Sequence, residues 1–370
     1  MLDHKFTGPP FTVGIEEEMM LLEGAGLGLA QGIETILEGV PDELEGQVKP
    51  ELMQSVLEIA TKPCADVRSA GEELVSLRRC VSEVAEQHGM LVGAAATHPF
   101  ALFEDQEIVD RPRYRALAAE LQYIARQELI FGTHVHVAIE GPDKAIYVAD
   151  GIRRYLPLLL ALSANSPFWR GSATGMMSTR TAIFRAFPRS GIPPHYGTWE
   201  IFSNRIELMM RAGAIEDYTY LWWDVRPHPN LGTVETRVFD QQTRLEHTVA
   251  LSALVVALAH RMSAIYDAEE PLVEYPTELV DDNKVRAAVR GVDGKLVDFR
   301  RGEQVPAPEL ALKLIELIAD DADELGCREE VEGVKDLLQV GTGAHRQLEV
   351  YERSGDMNAL VTEIAEKTRA

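Results

Sequence analysis

Three consecutive glutamates, Glu16, Glu17 and Glu18, lie inside an apolar stretch, Phe11–Leu22 (FTVGIEEEMMLL). If the stretch is a strand, its side chains alternate faces. Glu16 and Glu18 then point one way beside Gly14, and Glu17 points the other way with Val13, Ile15 and Met19. Two carboxylates on one face repel unless a cation sits between them, and oxygen ligands of this kind suit Mg²⁺ or Mn²⁺. An edge strand with a solvated glutamate face is the other reading of the same residues.

Further candidates follow the same parity argument. Gly46–Thr61 reads as a second strand carrying Glu51 and Glu58, seven residues apart. Strict alternation puts these two on opposite faces, so a bulge or bend is needed to bring both to one site. Phe131–Ile139 (FGTHVHVAI) reads as a strand with His134 and His136 on one face, as ligands, phosphate contacts or structural histidines. Tyr218–Arg226 and Leu231–Phe239 read as a hairpin around Pro227–Asn230. Glu235 and Arg237 share a face there, either as a plain salt bridge or as a metal ligand beside a phosphate clamp. Gly171–Gly197 has little periodicity and reads as a long loop with an embedded helical turn. Its Arg180, Arg185 and Arg189 suit carboxylate or phosphate recognition, or pairing with acidic surface.

The elements that must position these residues are mostly helices. Periodicity predicts helices over Ala65–His88, Arg113–Gln127, Asp143–Ala164, Trp199–Arg211, Arg244–Tyr266 and Thr277–Arg290. Pro308–Leu325, Glu329–Leu338 and Met357–Lys367 complete the set, with Gly341–Thr342–Gly343 as a break or cap. Met90–Ala96 reads as a buried strand, and Leu27–Leu37 as a connection leading into a helix.

Bulk numbers narrow the function classes. The 370 residues can bury a sizeable core in one large domain or two ordinary ones. A formal charge of −23, from 36 Lys+Arg against 59 Asp+Glu, argues against a general nucleic-acid or anionic-membrane surface. Cys64, Cys80 and Cys327 form no CxxC, and their odd number makes a disulfide framework unexpected; a reducing cytoplasm is the expectation. The N-terminal MLDHKFTGPP has no apolar signal core, and the run Leu156–Ala164 is too short to span a bilayer. No Walker or GxGxxG loop is present, so any nucleotide would be held through metal ions and arginines.

Together, TVGIEEEMMLL, PELMQSVLEIAT, GTHVHV, LLALSANSPFW with the following GSATG and SxRT, WWDVRPHPNLGTVETRVFD, and GTGAHRQ resemble the type 2 glutamate–cysteine ligase family. These are ATP-dependent carboxylate–amine ligases, and the match covers about the whole chain in family order. The resemblance implies an α+β, glutamine-synthetase-like catalytic fold in a single domain: a curved, mainly antiparallel sheet forming a funnel, with helices packed outside. It implies ATP and two or three Mg²⁺ or Mn²⁺ ions. The expected reaction joins glutamate and cysteine through γ-glutamyl phosphate, with another acid or amine as the alternative within the class. Glu16, Glu18, Glu51, Glu58, His134 and Glu235 are the implied metal set, which favours the bulged path for Glu51 and Glu58. Arg237 is the implied phosphate-stabilising arginine. Arg180 is a candidate for the acid substrate's carboxylate, and His136 a substrate-side position where relatives vary. Arg286 and Arg290 are further phosphate candidates, and Gly171–Gly197 is the candidate lid. Small-molecule substrates are the expected partners, with no nucleic acid or membrane, and a homo-oligomer is compatible with the family. A metal-dependent phosphotransferase resembling guanidino kinases, a metallo-hydrolase, and a binding protein without catalysis are the competing classes.

Overall fold

The computed structural model describes residues 1–369. Its central element is β1, Val13–Glu23. Val13, Ile15, Glu17 and Met19 are buried behind the sheet, while Glu16 and Glu18 face the other way. The expected alternation therefore holds.

Around β1 a seven-stranded antiparallel sheet assembles from β2 (Val48–Pro50), β3 (Val56–Ala60), β4 (Met90–Gly93), β5 (Gly132–Ala138), β8 (Val225–His228) and β9 (Thr233–Asp240). The order is β2-β3-β1-β5-β9-β8, with β4 paired to the far half of β1. A small ribbon, β6 (Phe168–Trp169) with β7 (Ser172–Ala173), and a hairpin, β10 (Lys295–Asp298) with β11 (Glu303–Pro306), lie outside it.

Register decides what meets on the open face. Glu18 stands opposite Glu58, and Glu16 opposite His134. His136 stands opposite Gly14 on one side and Glu235 on the other. The β5–β9 ladder slips between Thr133 and Val135, which pair with Phe239 and Thr236. Two residues of β9, Arg237 and Val238, thus stand against the one residue of β5 between these pairs, His134, and form a bulge. A bulge bends its strand and re-aims a side chain.

Helices cover the other face. The helix Leu245–Asp267 packs against Val67–Gln87, Pro142–Arg153 and Arg328–Val340. It is long and apolar enough to cross a membrane by length and composition, and 72% of its most apolar window is buried inside the protein. One ion pair is buried there. Arg78, from Val67–Gln87, reaches both oxygens of Glu17, which also accepts from Gln241 and Thr248. Apolar burial drives this packing, and a fully paired carboxylate is the form in which a charge survives inside it.

Several boundaries differ from expectation. Gly46–Thr61 is two strands, with the chain reversing through Glu51–Ser55 and Lys49 opposite Glu58. Alternation does not count across a reversal, so Glu51 reaches the face of Glu58 without the expected bulge. Arg113–Gln127 breaks at Gln122, whose φ of 51° is left-handed. Asp143–Ala164 breaks at Arg154–Tyr155, and Pro157 sits in the first turn of the next helix, where a missing N–H costs nothing. Pro308–Leu325 likewise forms two helices. The hairpin turn falls after Pro227, which lies within β8; this is the sheet's edge, where proline is tolerated. Tyr218–Tyr220 is a 3-10 turn instead of strand. The helix Gly343–Ser354, capped by Thr342, was not anticipated.

Candidate active site

The open face of the sheet lines a cavity of about 400 Å³. Glu16, Glu18, Glu51, Glu58, His134, Arg180 and Arg237 all border it. Three overlapping groups bring ligand atoms within 4.8 Å of one another: Glu18, Glu51 and Glu58; Glu16, Glu58 and His134; and Glu16, His136 and Glu235. All six implied metal ligands, and His136, therefore fall into one cluster. Each group mixes two or three carboxylates with at most one imidazole, a donor set for hard divalent cations.

His134 Nδ1 lies 3.2 Å from Glu16 Oε2, and His136 Nε2 lies 3.6 Å from the same oxygen. The Nε2 atoms of both histidines are buried without a hydrogen-bond partner. A buried unpartnered nitrogen facing carboxylates is costly unless something else fills its coordination. His136 Nδ1 meets Thr233 Oγ1 at 3.0 Å, which fixes its ring. The backbone N–H of Gly132 donates to Glu18 Oε2 at 2.6 Å.

The carboxylates are strained electrostatically. Burial pushes Glu58 up to about 7; the charge of Glu16 adds to this and Lys49 opposes it. Glu51 is raised by burial and then by Glu58. Burial works to raise Glu16 too, but the charge of His136 and the hydrogen bond from His134 hold it well below the usual carboxylate range. Burial, then the charge of Arg237, pushes His134 down. For His136 the Glu235 and Glu16 carboxylates outweigh burial and raise it. A cluster in which two carboxyls resist ionisation is one that a multivalent cation would relieve.

Two arginines frame Glu235. Arg226 Nε donates to Glu235 Oε2 at 2.5 Å, and Arg237 Nη1 donates to Oε1. Against the burial penalty, these two charges hold Glu235 well below its ordinary range. Arg237 Nη1 also sits 3.4 Å from His134 Nδ1, so one guanidinium bridges the bulged strand and the histidine strand.

Arg180 comes from the helix Thr179–Phe184 inside the long segment Gly171–Gly197. It is buried beneath the cavity wall, with Nη2 3.3 Å from the Arg237 carbonyl and Nε without a partner. Gly132 makes room for it: a Cβ there would stand 2.4 Å from Arg180 Nη2. Asp240 ties the segment to the chain just before it, accepting from Ser178 Oγ within the segment and from Ser166 Oγ and the Asn165 N–H ahead of it, each at 2.8 Å. Phe184 and Phe187 of the same segment build an apolar wall with Ile130 and Trp222.

Other expected residues lie elsewhere. Arg185 pairs with Asp281 on the surface, and Arg189 donates to the Tyr220 carbonyl and packs over Trp222. Arg286 is paired with Asp282 in solvent, and neither it nor Arg290 borders the cavity. The geometry thus does not bring these two phosphate candidates to the site.

Four contributors escaped the sequence reading. Lys49 Nζ lies 2.9 Å from Glu58 and 4.0 Å from Glu16. Arg226, Glu128 and the Glu17–Arg78 pair complete the list. Lys49 stood inside the expected strand Gly46–Thr61 and Arg226 inside the segment WWDVRP, so proximity in sequence was a usable signal for both.

The fold is that of glutamate–cysteine ligases. The crystal structure of glutamate–cysteine ligase from Francisella tularensis in complex with AMP superposes with a TM-score of 0.74, over 99% of this chain and 90% of that one, at 14% identity. A bifunctional glutathione synthetase from Pasteurella multocida gives 0.69 over 97% of this chain and 52% of that one, at 16% identity. The expected α+β funnel architecture is therefore the observed one, with an open sheet. Sequence carries the assignment further. The chain belongs to glutamate–cysteine ligase family 2, whose family model matches residues 12–363. A Rubrobacter xylanophilus protein named "Putative glutamate--cysteine ligase 2-1" is 42% identical over 368 residues, covering 100% of this chain and 97% of that one. A Sorangium cellulosum protein named "Putative glutamate--cysteine ligase 2" is 42% identical over 97% of this chain and 96% of that one. The protein is thus an ATP-dependent ligase of the glutamate–cysteine ligase type.

Proposed function

We propose that the chain, acting as one catalytic domain, joins the γ-carboxylate of glutamate to the amine of cysteine at the expense of ATP, releasing ADP and phosphate through γ-glutamyl phosphate. The observation that supports this most is the cluster of three overlapping carboxylate–histidine groups beside Arg237 and Arg180 in one cavity. Glu16, Glu18, Glu51, Glu58, His134 and Glu235 are the residues that would hold Mg²⁺ or Mn²⁺, with His136 beside them. Bound there, the ions would screen the repulsion between a triphosphate and an incoming carboxylate.

The protein's own groups supply the rest. Arg180, buried and incompletely bonded, takes the carboxylate of the acid substrate; a guanidinium fork suits that shape. Arg237, held rigid by Glu235, stabilises charge on the transferring phosphoryl group, and fixed charge in a desolvated cavity acts more strongly than in water. Gly171–Gly197 closes one side and shields the acyl phosphate from water. Three free cysteines, none paired among the described residues, support a reducing, cytoplasmic setting.

The apolar wall of Ile130, Phe184, Phe187 and Trp222 supports a second reading within the class, in which the amine carries a larger apolar side chain than cysteine. An ADP-release screen with glutamate, Mg²⁺, ATP and a panel of amino acids and amines, with mass spectrometry of products, tests both. A γ-glutamyl dipeptide with cysteine as the best amine supports the first reading, and a better bulky amine supports the second. No ADP with any pair would reject the ligase reading. A phosphorylated product without an amide would favour phosphotransfer, and amide cleavage without nucleotide would favour hydrolysis.

A further inference from the structure

The funnel face continues upstream of β5. Glu128, Ile130, His134 and, through the space it leaves for Arg180, Gly132 all contribute to the cavity at alternate positions. Of the carboxylates bordering this cavity, Glu128 belongs to none of the three ligand groups. It has no salt-bridge partner among the described residues, and its Oε2 is shut off from solvent with no hydrogen bond. It stands two residues before Ile130, which belongs to the apolar wall.

A carboxyl oxygen shut off from solvent without a partner is an unmet requirement. The charged groups that act on it are Glu18, Arg180 and Arg237; none hydrogen-bonds to it. Amide formation brings a matching group. An amine enters at neutral pH as an ammonium ion, and it attacks only after losing a proton. We propose that Glu128 receives the attacking amine as its ammonium ion and removes the proton that frees the nitrogen lone pair. This rests on the ligase reading above.

The step balances without an added reactant. The proton moves from R–NH₃⁺ to the Glu128 carboxylate. The freed lone pair forms the C–N bond at the acyl phosphate carbon. The C–O bond to the phosphate breaks, and its electron pair leaves with the phosphate, which also takes the second N–H proton. The Glu128 carboxyl returns its proton to solvent between turnovers. Burial, with the charge of Glu18, pushes Glu128 up to about 8, so the carboxyl is mostly protonated near neutrality until an ammonium ion beside it favours the carboxylate.

Hydroxylamine provides the test, because its nitrogen is already unprotonated at neutral pH. Glu128→Gln and Glu128→Asp are compared with wild type for ATP-dependent turnover using hydroxylamine and using the best amine from the screen. The Gln variant is expected to lose about 100-fold in kcat with the amine. It should keep hydroxamate formation within a few-fold of wild type, which also shows that it folds and activates the acid. Asp should restore part of the amine rate, and raising the pH should narrow the deficit of Gln. Equal loss with both nucleophiles in variants that melt like wild type would overturn the proposal, as would an unaffected amine rate. If wild type makes neither hydroxamate nor amide, the ligase reading itself has failed.

Discussion

Arg78 grips Glu17 with two hydrogen bonds, 2.7 Å from Nε and 2.6 Å from Nη2, behind the sheet where both side chains are almost fully buried. The same guanidinium donates to the carbonyls of Thr243 and Gln242. Glu17 lies between two candidate metal ligands in sequence, yet its role is to fasten β1 to the helix Val67–Gln87 and to the chain just after β9.

Breaking that pair by one partner leaves a buried charge alone, at a cost of about 3–5 kcal/mol. Arg78→Met is expected to lose stability on that scale in urea unfolding, and Arg78→Met with Glu17→Gln to recover more than half of it. A single variant as stable as wild type would show that the pair is not a fastening.

Replacing Arg237 by Lys keeps the charge and loses the planar fork. Turnover should fall by about 100-fold or more, on the scale of removing one preorganised donor to a transition state. Mn²⁺ binding measured by calorimetry should persist, because the carboxylate and histidine donors are untouched.

In metal-free protein, the raised Glu58 carboxyl gives a defined pH dependence. Its folded value of about 7 lies above the unfolded one, so folded protein binds more protons between the two. Its contribution is fully present below the unfolded value and is lost as pH rises through about 7. Melting temperature in EDTA should therefore fall as pH rises from about 4.5 to 7, less so in Glu58→Gln, and Mg²⁺ or Mn²⁺ should reverse the fall. An identical slope in the variant would remove Glu58 from the account.

Gly132→Ala tests how Arg180 is seated. The added methyl meets the tip of a long side chain, so the arginine shifts while the backbone stays. The KM for the acid substrate should rise about 10-fold, the scale of a weakened charged hydrogen bond, with little change in the KM for ATP. Unchanged KM for the acid would place Arg180 outside its recognition.

Strand parity made much of this legible from sequence. The split of Glu16 and Glu18 from Glu17, and the shared face of His134 and His136, are period-2 facts that survive folding because one face is buried. Glu51 and Glu58 came to the expected place by an unexpected path, since a reversal between them erases any parity count. The bulge at Arg237 was invisible: it depends on register with β5, about a hundred positions away in the chain. Glu128 was missed because a single carboxylate after a short helix carries no pattern; only its lack of a partner marks it. Arg286 and Arg290 show the opposite failure, where a resemblance suggested phosphate contacts and the helix Thr277–Arg290 presents Arg286 to solvent.

The strand order also sets an order of manufacture. β1, β3 and β5 can pair as soon as residue 138 has been made, but the other edge of β5 waits for β9. His136 meets Glu235 only after 99 further residues have been added. Throughout that interval the nascent sheet carries an open hydrogen-bonding edge beside its acidic face, and such edges invite pairing with another chain. A ribosome that pauses between β5 and β9 would hold the protein at its most vulnerable, with half a funnel and no arginine from β9 to balance the glutamates.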